Sequence, residues 1–188
     1  MPLSKPKKRD HIHTRDIKCF GYKRLDGLWD IEGYIIDTKT YSFDNYDRGG
    51  VSSGEPVHHM QIRITLDDNL VIKSAEAATI ASPYRICPKV SKNFKNLKGS
   101  KIGPGWRRQV QDLLGGVKGC THLRDLLTGP IAVTAYQTII PRKRDNEYRP
   151  KTNETPVLLN TCVAFAENGA VVKERWPNHY SEKKEVQR

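Results

Sequence analysis

Asp37 and His58 are the residues of this chain whose types and spacing best suit proton transfer. A carboxylate that orients an imidazole makes a general base near neutral pH. Leu28-Trp29-Asp30-Ile31-Glu32-Gly33 opens a strand that runs to Asp37. Successive strand residues face opposite sides, so Trp29, Ile31, Gly33 and Ile35 share one face and Asp37 ends it. A second strand, Val57 to Asp67, puts His58, Met60, Ile62, Ile64 and Leu66 on one face. Antiparallel pairing with Ile31 opposite Ile64 and Ile35 opposite Met60 brings Asp37 opposite His58. The expected result is an Asp–His pair at the edge of an apolar sheet face.

Other residues can serve the same chemistry. Glu76 joins the apolar face if Ile72 and Ser74 do; burial there raises a carboxyl's pKa and suits it to general acid work. A one-residue slip sends it to the opposite face, and a pairing with Lys or Arg is its structural reading. Pro83-Tyr84-Arg85-Ile86-Cys87-Pro88 joins sheet to helices, so the Tyr84 phenol and the Arg85 guanidinium are expected at the rim of a cleft. Gly116-Val117-Lys118-Gly119-Cys120-Thr121-His122-Leu123 is a glycine-rich turn into a helix start. Its backbone N–H groups suit an anion, with Cys120, Thr121 and His122 beside it. It lacks the spacing of a phosphate-binding loop, and Thr121 also reads as a simple N-cap. His58, Glu76, Cys87, Cys120 and His122 form a conceivable zinc set, though no two have ligand spacing on one element. No metal and no other cofactor is assigned.

These residues need a scaffold. Residues 1–10 read as a disordered basic arm, and residues 11–180 as a single domain. A first strand, Ile12 to Lys23, lacks clean alternation, and Asp26-Gly27 turns it into the strand ending at Asp37. Residues 38–56 form a long loop carrying Tyr41, Phe43, Tyr46, Arg48 and Gly49-Gly50. Its two ends are Asp37 and His58, so it is placed to close on a ligand, with Tyr46 as a contact. A fourth strand runs from Leu70 to Ile80. The period then changes to helical: Pro88 to Leu97, Trp106 to Leu114, and a third helix from Cys120 that Gly129-Pro130 interrupts. Pro130 is placed to begin the next helix. Ile131 to Ile140 is apolar nearly all round and reads as a central buried helix. Residues 141–157 read as a linker or flexible excursion, Leu158 to Ala166 as a return to the core, and Gly169 to Trp176 as a short strand. Residues 181–188 read as a tail. Strands first and helices after predict an α+β fold, an antiparallel sheet of about four strands with helices on one face. The other face carries Asp30, Glu32 and Tyr34 beside His59, Gln61, Arg63 and Thr65, a solvated face with cross-strand charge pairs.

The 188 residues can bury a real core. Lys and Arg number 32 against 21 acidic residues, for a formal charge of +11. Much of that excess sits in Lys5, Lys7, Lys8 and Arg9 and in Arg142, Lys143 and Arg144, which argues for solubilising segments rather than a nucleic-acid interface. No apolar run is long enough to span a bilayer and no signal-peptide pattern is present, so a cytoplasmic location without a membrane partner is expected. Cys19, Cys87, Cys120 and Cys162 are widely spaced and expected to be reduced.

The ordered set Asp26-Gly27-Leu28-Trp29-Asp30-Ile31-Glu32-Gly33, Asp37-Thr38-Lys39, Pro56-Val57-His58-His59-Met60, Pro83-Tyr84-Arg85-Ile86-Cys87, Gly119-Cys120-Thr121-His122-Leu123 and Cys162 resembles a bacterial family known only as a domain of unknown function. The resemblance covers residues 11–180; position 59 is often Asp in that family and is His here. It associates the chain with relatives in the catabolism of lignin-derived aromatics. There, cofactor-independent lyases release the terminal hydroxymethyl group of an aromatic dimer as formaldehyde and leave a stilbene. On that implication Asp37–His58 serves as base, Glu76 or Tyr84 as acid, and the Cys120–His122 turn as phenolate stabiliser. A small aromatic substrate is the expected partner, and a homo-oligomer is compatible with the sequence. Two other readings use the same residues: a non-catalytic module that binds an aromatic ligand, and a zinc-dependent hydrolase.

Overall fold

Alternation of apolar and polar residues dictates the sheet. The computed structural model describes residues 2–147, 155–156 and 158–182. Four strands, β1 (His13–Lys23), β2 (Trp29–Lys39), β3 (Pro56–Leu66) and β4 (Ile72–Ala81), form one antiparallel meander in the order β1-β2-β3-β4. Ile31 lies opposite Ile64, Ile35 opposite Met60 and Asp37 opposite His58, the register that the two-residue period requires. The architecture is α+β.

Three bulges re-aim side chains along this sheet. Each opposes two residues to one, at Val57 on β3 and at Lys73 and Ile80 on β4. The bulge at Lys73 matters most for the site. Ile72 pairs with Leu66 on the apolar face, but beyond Lys73 it is Ala75 and Ala77 that meet Ile64 and Ile62. Glu76 therefore faces away from the helices, opposite Arg63. That corrects the expected position of Glu76 on the apolar face. On the outer face Arg63 donates from Nε to Glu32 at 2.8 Å and from Nη1 to Glu76 at 2.7 Å, while Thr65 donates to Asp30 at 2.7 Å.

Helices cover the other face. A 3₁₀ helix, Cys87–Leu97, buries Ser91, Phe94 and Leu97, a spacing of three that suits three residues per turn. Helix α1 (Trp106–Leu114) buries Trp106, Val110 and Leu114 at spacing four. Helix α2 (Thr121–Leu126) passes through a π-helical turn, Leu127–Ile131, into α3 (Ala132–Glu147). Gly129-Pro130 thus does not end a helix, as the sequence led us to expect. A proline ring clashes with the carbonyl four residues back, and the wider π turn accommodates it. Leu127, Ile131, Ala135 and Ile139 follow at spacing four and are buried. Val133 is 54 % exposed, so this helix buries one face and is not surrounded by core. Gly33 lets the helix approach β2: a Cβ there would lie 2.8 Å from the Ile131 side chain.

The chain divides into two compact units, one ending at Lys143 and one beginning at Arg144. Residues 141–147, expected in a linker, are helical, while 148–154 and 157 lie outside the described residues, as do 183–188 of the expected tail. In the second unit Val163–Phe165 is a 3₁₀ turn and Val163 is exposed, so this segment does not return to a core as expected. Ala170–Arg175 is a helix, α4, rather than a strand: the Lys173 N–H donates to the Gly169 carbonyl at 3.0 Å. The Phe165 and Trp176 rings pack with centroids 5.5 Å apart. Among the described residues, no helix is long and apolar enough to cross a membrane.

Candidate functional site

Four elements of the first unit converge on the carboxylate of Asp37. It closes the buried face of β2 and is only 1 % exposed. A carboxylate taken from water needs cations or donors around it. Arg15, its direct partner on β1, donates from Nε to Oδ1 at 2.7 Å and from Nη2 to Oδ2 at 2.8 Å. His58, its partner on β3, places Nδ1 3.0 Å from Oδ2. His13 Nε2 lies 3.5 Å from Oδ1 and His122 Nε2 lies 4.0 Å from Oδ2. His122 comes from the first turn of α2, and its ring lies against that of His58 with centroids 3.9 Å apart and the planes tilted by 34°.

The charge states follow from this packing. Burial works to raise the Asp37 pKa, but Arg15 and His58 outweigh it and hold the carboxyl below its ordinary value. An ionised carboxylate only accepts, so His58 carries its proton on Nδ1 and presents the Nε2 lone pair. Burial lowers the His58 pKa and the neighbouring His122 lowers it further. Asp37 opposes both without reversing them. Burial and then the charge of Arg15 lower His122, against Asp37 and Asp125. Both imidazoles are therefore neutral at physiological pH and able to accept a proton.

Cys120 sits at the N-cap position of α2 without a side-chain capping bond, and Thr121 follows as the first helical residue, not as the cap. Cys120 Sγ lies 3.8 Å from Met60 Sδ and 3.8 Å from His122 Nδ1. Asp37, His58, His122 and Cys120 are thus brought together, and Glu76 is not. Glu76 is 69 % exposed and paired with Arg63. Tyr84 is 60 % exposed, and Tyr46 is fully exposed on the loop between β2 and β3. Arg85 is tied to that loop rather than turned to Asp37: its backbone N–H donates to Asp47 Oδ2 and its Nε to the Asp47 carbonyl, both at 2.8 Å. The same loop is braced by an isolated bridge between Phe43 and Val51 and by Arg48, which bonds Glu55 and the Pro56 carbonyl.

Arg15 and His13 belong to the site although the sequence did not single them out. The signal available was their spacing on β1, since hairpin pairing through Asp26-Gly27 puts residue 15 opposite 37. The suggested zinc set is not assembled, because Glu76 lies on the far face. The donors that do come together are Asp37, His58 and His122, with ligand atoms within 4.8 Å of one another.

No curated protein and no solved structure matches this chain. Residues 13–137 match the family described as "Protein of unknown function (DUF2889)", a span that takes in Arg15, Asp37, His58, Cys120 and His122, and the chain belongs to that family.

Proposed function

We propose that this Asp–His cluster is an acid–base active site and that the chain is a cofactor-independent lyase of aromatic dimers. The observation that carries the reading is the 3.0 Å contact between Asp37 Oδ2 and His58 Nδ1, held by the two-pronged grip of Arg15. A base must be oriented and unprotonated to work near neutral pH. Asp37 supplies the orientation, and burial beside His122 keeps His58 unprotonated.

The chemistry is a fragmentation with no net redox change. His58 Nε2 removes the proton of the terminal hydroxyl. The carbon–carbon bond to that hydroxymethyl group breaks, and its electron pair becomes the new double bond while formaldehyde leaves. The oxygen on the neighbouring carbon departs and takes the proton from the His58 imidazolium, which Asp37 has stabilised. The products are a stilbene, formaldehyde and the protonated leaving group, so one residue serves as base and then as acid. His122, whose ring lies against that of His58, packs beside the base and limits its motion. Glu76 has no part in this scheme. The aromatic dimer as substrate comes from the family resemblance, and the test is incubation of full-length protein with phenolic diarylpropanediols. Stilbene absorbance and equimolar formaldehyde are expected; neither appearing with any such dimer contradicts the reading.

A second reading has one observation in its favour, the grouping of Asp37, His58 and His122 donors within 4.8 Å. Two histidines and a carboxylate can hold a divalent ion for hydrolysis. Against it, the Arg15 guanidinium already occupies both oxygens of Asp37 with a positive charge. Elemental analysis of purified protein separates the two. Arg15→Ala is expected to bind zinc more tightly than the native chain, and stoichiometric zinc in the native chain supports hydrolysis instead.

A further inference from the structure

We infer that Cys120 is a nucleophilic thiol served by His122, forming a second reactive centre that shares Asp37 with the His58 pair and attacks an electron-poor conjugated carbon. The proton transfers proposed above leave Cys120 unused, and the inference rests on its own geometry. His122 lies between the thiol and the buried carboxylate: Nδ1 is 3.8 Å from Cys120 Sγ, and Nε2 is 4.0 Å from Asp37 Oδ2. A base beside a thiol activates a cysteine, and Asp37 acts on His122 through its charge, at a separation beyond a hydrogen bond.

The other neighbours of the thiol favour the same role. Met60 Sδ, also 3.8 Å away, can receive the S–H as a weak hydrogen bond but cannot take the proton. His122 can, because burial and Arg15 keep its ring neutral. The charged and titratable groups around that ring are Arg15 from β1, Asp37 from β2, His58 from β3 and Asp125 from α2. Two of the three other cysteines serve for comparison. Cys19 is packed against the core as Cys120 is, and burial pushes its thiol pKa up. Cys162 is exposed and lies in the second unit, so it serves as an internal reference.

The step is an addition. His122 Nδ1 takes the thiol proton, and an S–C bond forms at the terminal carbon of a conjugated carbonyl. The carbon–carbon π electrons move toward the carbonyl oxygen, and His122 returns the proton to the enolate so formed. Nothing is oxidised or reduced. A quinone methide, the conjugated form of a phenolic ring that has lost a benzylic oxygen, belongs to the same substrate class.

N-ethylmaleimide is a suitable probe, because its double bond is a conjugated acceptor and its reaction needs no turnover. Full-length protein treated with limiting reagent, digested and analysed by mass spectrometry gives the rate at each cysteine. Cys120 is expected to react faster than Cys162 at about pH 6, where an ordinary thiol is almost wholly protonated. His122→Gln is expected to slow Cys120 by about 10²-fold, the lower end of what a positioned base contributes, and to leave Cys162 unchanged. Cys120 reacting no faster than Cys162 at any pH in the native chain overturns the inference, whatever the variant does. So does an unchanged Cys120 rate in a folded His122→Gln protein. Absence of lyase turnover in the native chain with Cys120 still fast would contradict only the acid–base reading.

Discussion

Arg15 grips Asp37 through both carboxylate oxygens, at 2.7 and 2.8 Å, from the neighbouring strand of the sheet. This contact makes the rest of the site possible, because it lets a carboxylate remain ionised with 1 % exposure at the end of an apolar face. It also raises the Arg15 pKa above its ordinary value, through the hydrogen bond to Asp37 first, against partial desolvation.

Arg15→Ala is expected to destabilise the fold by about 1–2 kcal/mol, the worth of hydrogen bonds to a charged group reduced because the guanidinium is partly solvated. Arg15→Lys keeps the charge and loses the fork, so its loss is intermediate. Urea denaturation of the three proteins measures this, and equal midpoints contradict it.

The pH dependence has a definite sign. His58 and His122 have folded pKa values below the ordinary value of about 6.5, so the unfolded chain binds more protons as pH falls through that range. Their contribution to stability is fully present above about 6.5 and is lost as pH falls through the depressed values. Asp37, also depressed, loses its contribution below about 3.9. Turnover is expected to have an acid limb below about 6.5, as His58 must be unprotonated to act as base. Denaturation midpoints and kcat/KM across this range test both, and a limb above the ordinary histidine value contradicts the assignment.

Packing of α3 on β1 depends on Gly21. A Cβ at Gly21 would overlap Thr138 Oγ1 and lie under 3 Å from two further atoms of that side chain. Thr has two χ1 rotamers open to it in a helix, so relief there requires a change of rotamer. Gly21→Ala is expected to cost about 1–3 kcal/mol, because the added methyl forces a packed side chain aside. Adding Thr138→Ala removes the two nearest atoms and should recover part of that loss. Additive losses in the double variant count against this contact.

The central strand pair was legible because β2 and β3 alternate without interruption from Ile31 to Ile35 and from Met60 to Leu66. Once Ile31 is set against Ile64, Asp37 must meet His58. Bulges leave no such trace. One extra residue at Lys73 moves Glu76 to the other face, and nothing in its composition distinguishes Lys73 from a paired residue. Arg15 and His13 were missed for a related reason: β1 is an edge strand, mostly exposed, whose mixed residues carry no two-residue pattern. The helix start was readable from its glycines, but the closeness of Cys120 and His122 to Asp37 comes from α2 packing on the sheet, which periodicity does not report.

Glu76→Gln separates the two faces of the sheet. The side chain is bonded to Arg63 on the solvated face, so turnover is expected to match the native protein. Stability should change by about 0.5 kcal/mol or less. A large loss of turnover with an unchanged melt would place the chemistry on the outer face instead.

The most direct test is turnover of a phenolic aromatic dimer by His58→Ala, with Asp37→Asn and a thermal melt of each variant beside it. His58 stands at the edge of the buried face, so the alanine variant should still melt cooperatively near the native temperature while its rate falls about 10²- to 10⁴-fold, as loss of a general base requires. Asp37→Asn should lose less, because it keeps the shape and gives up only charge and orientation. Full activity in His58→Ala, or a melt that collapses in step with the activity, contradicts the account.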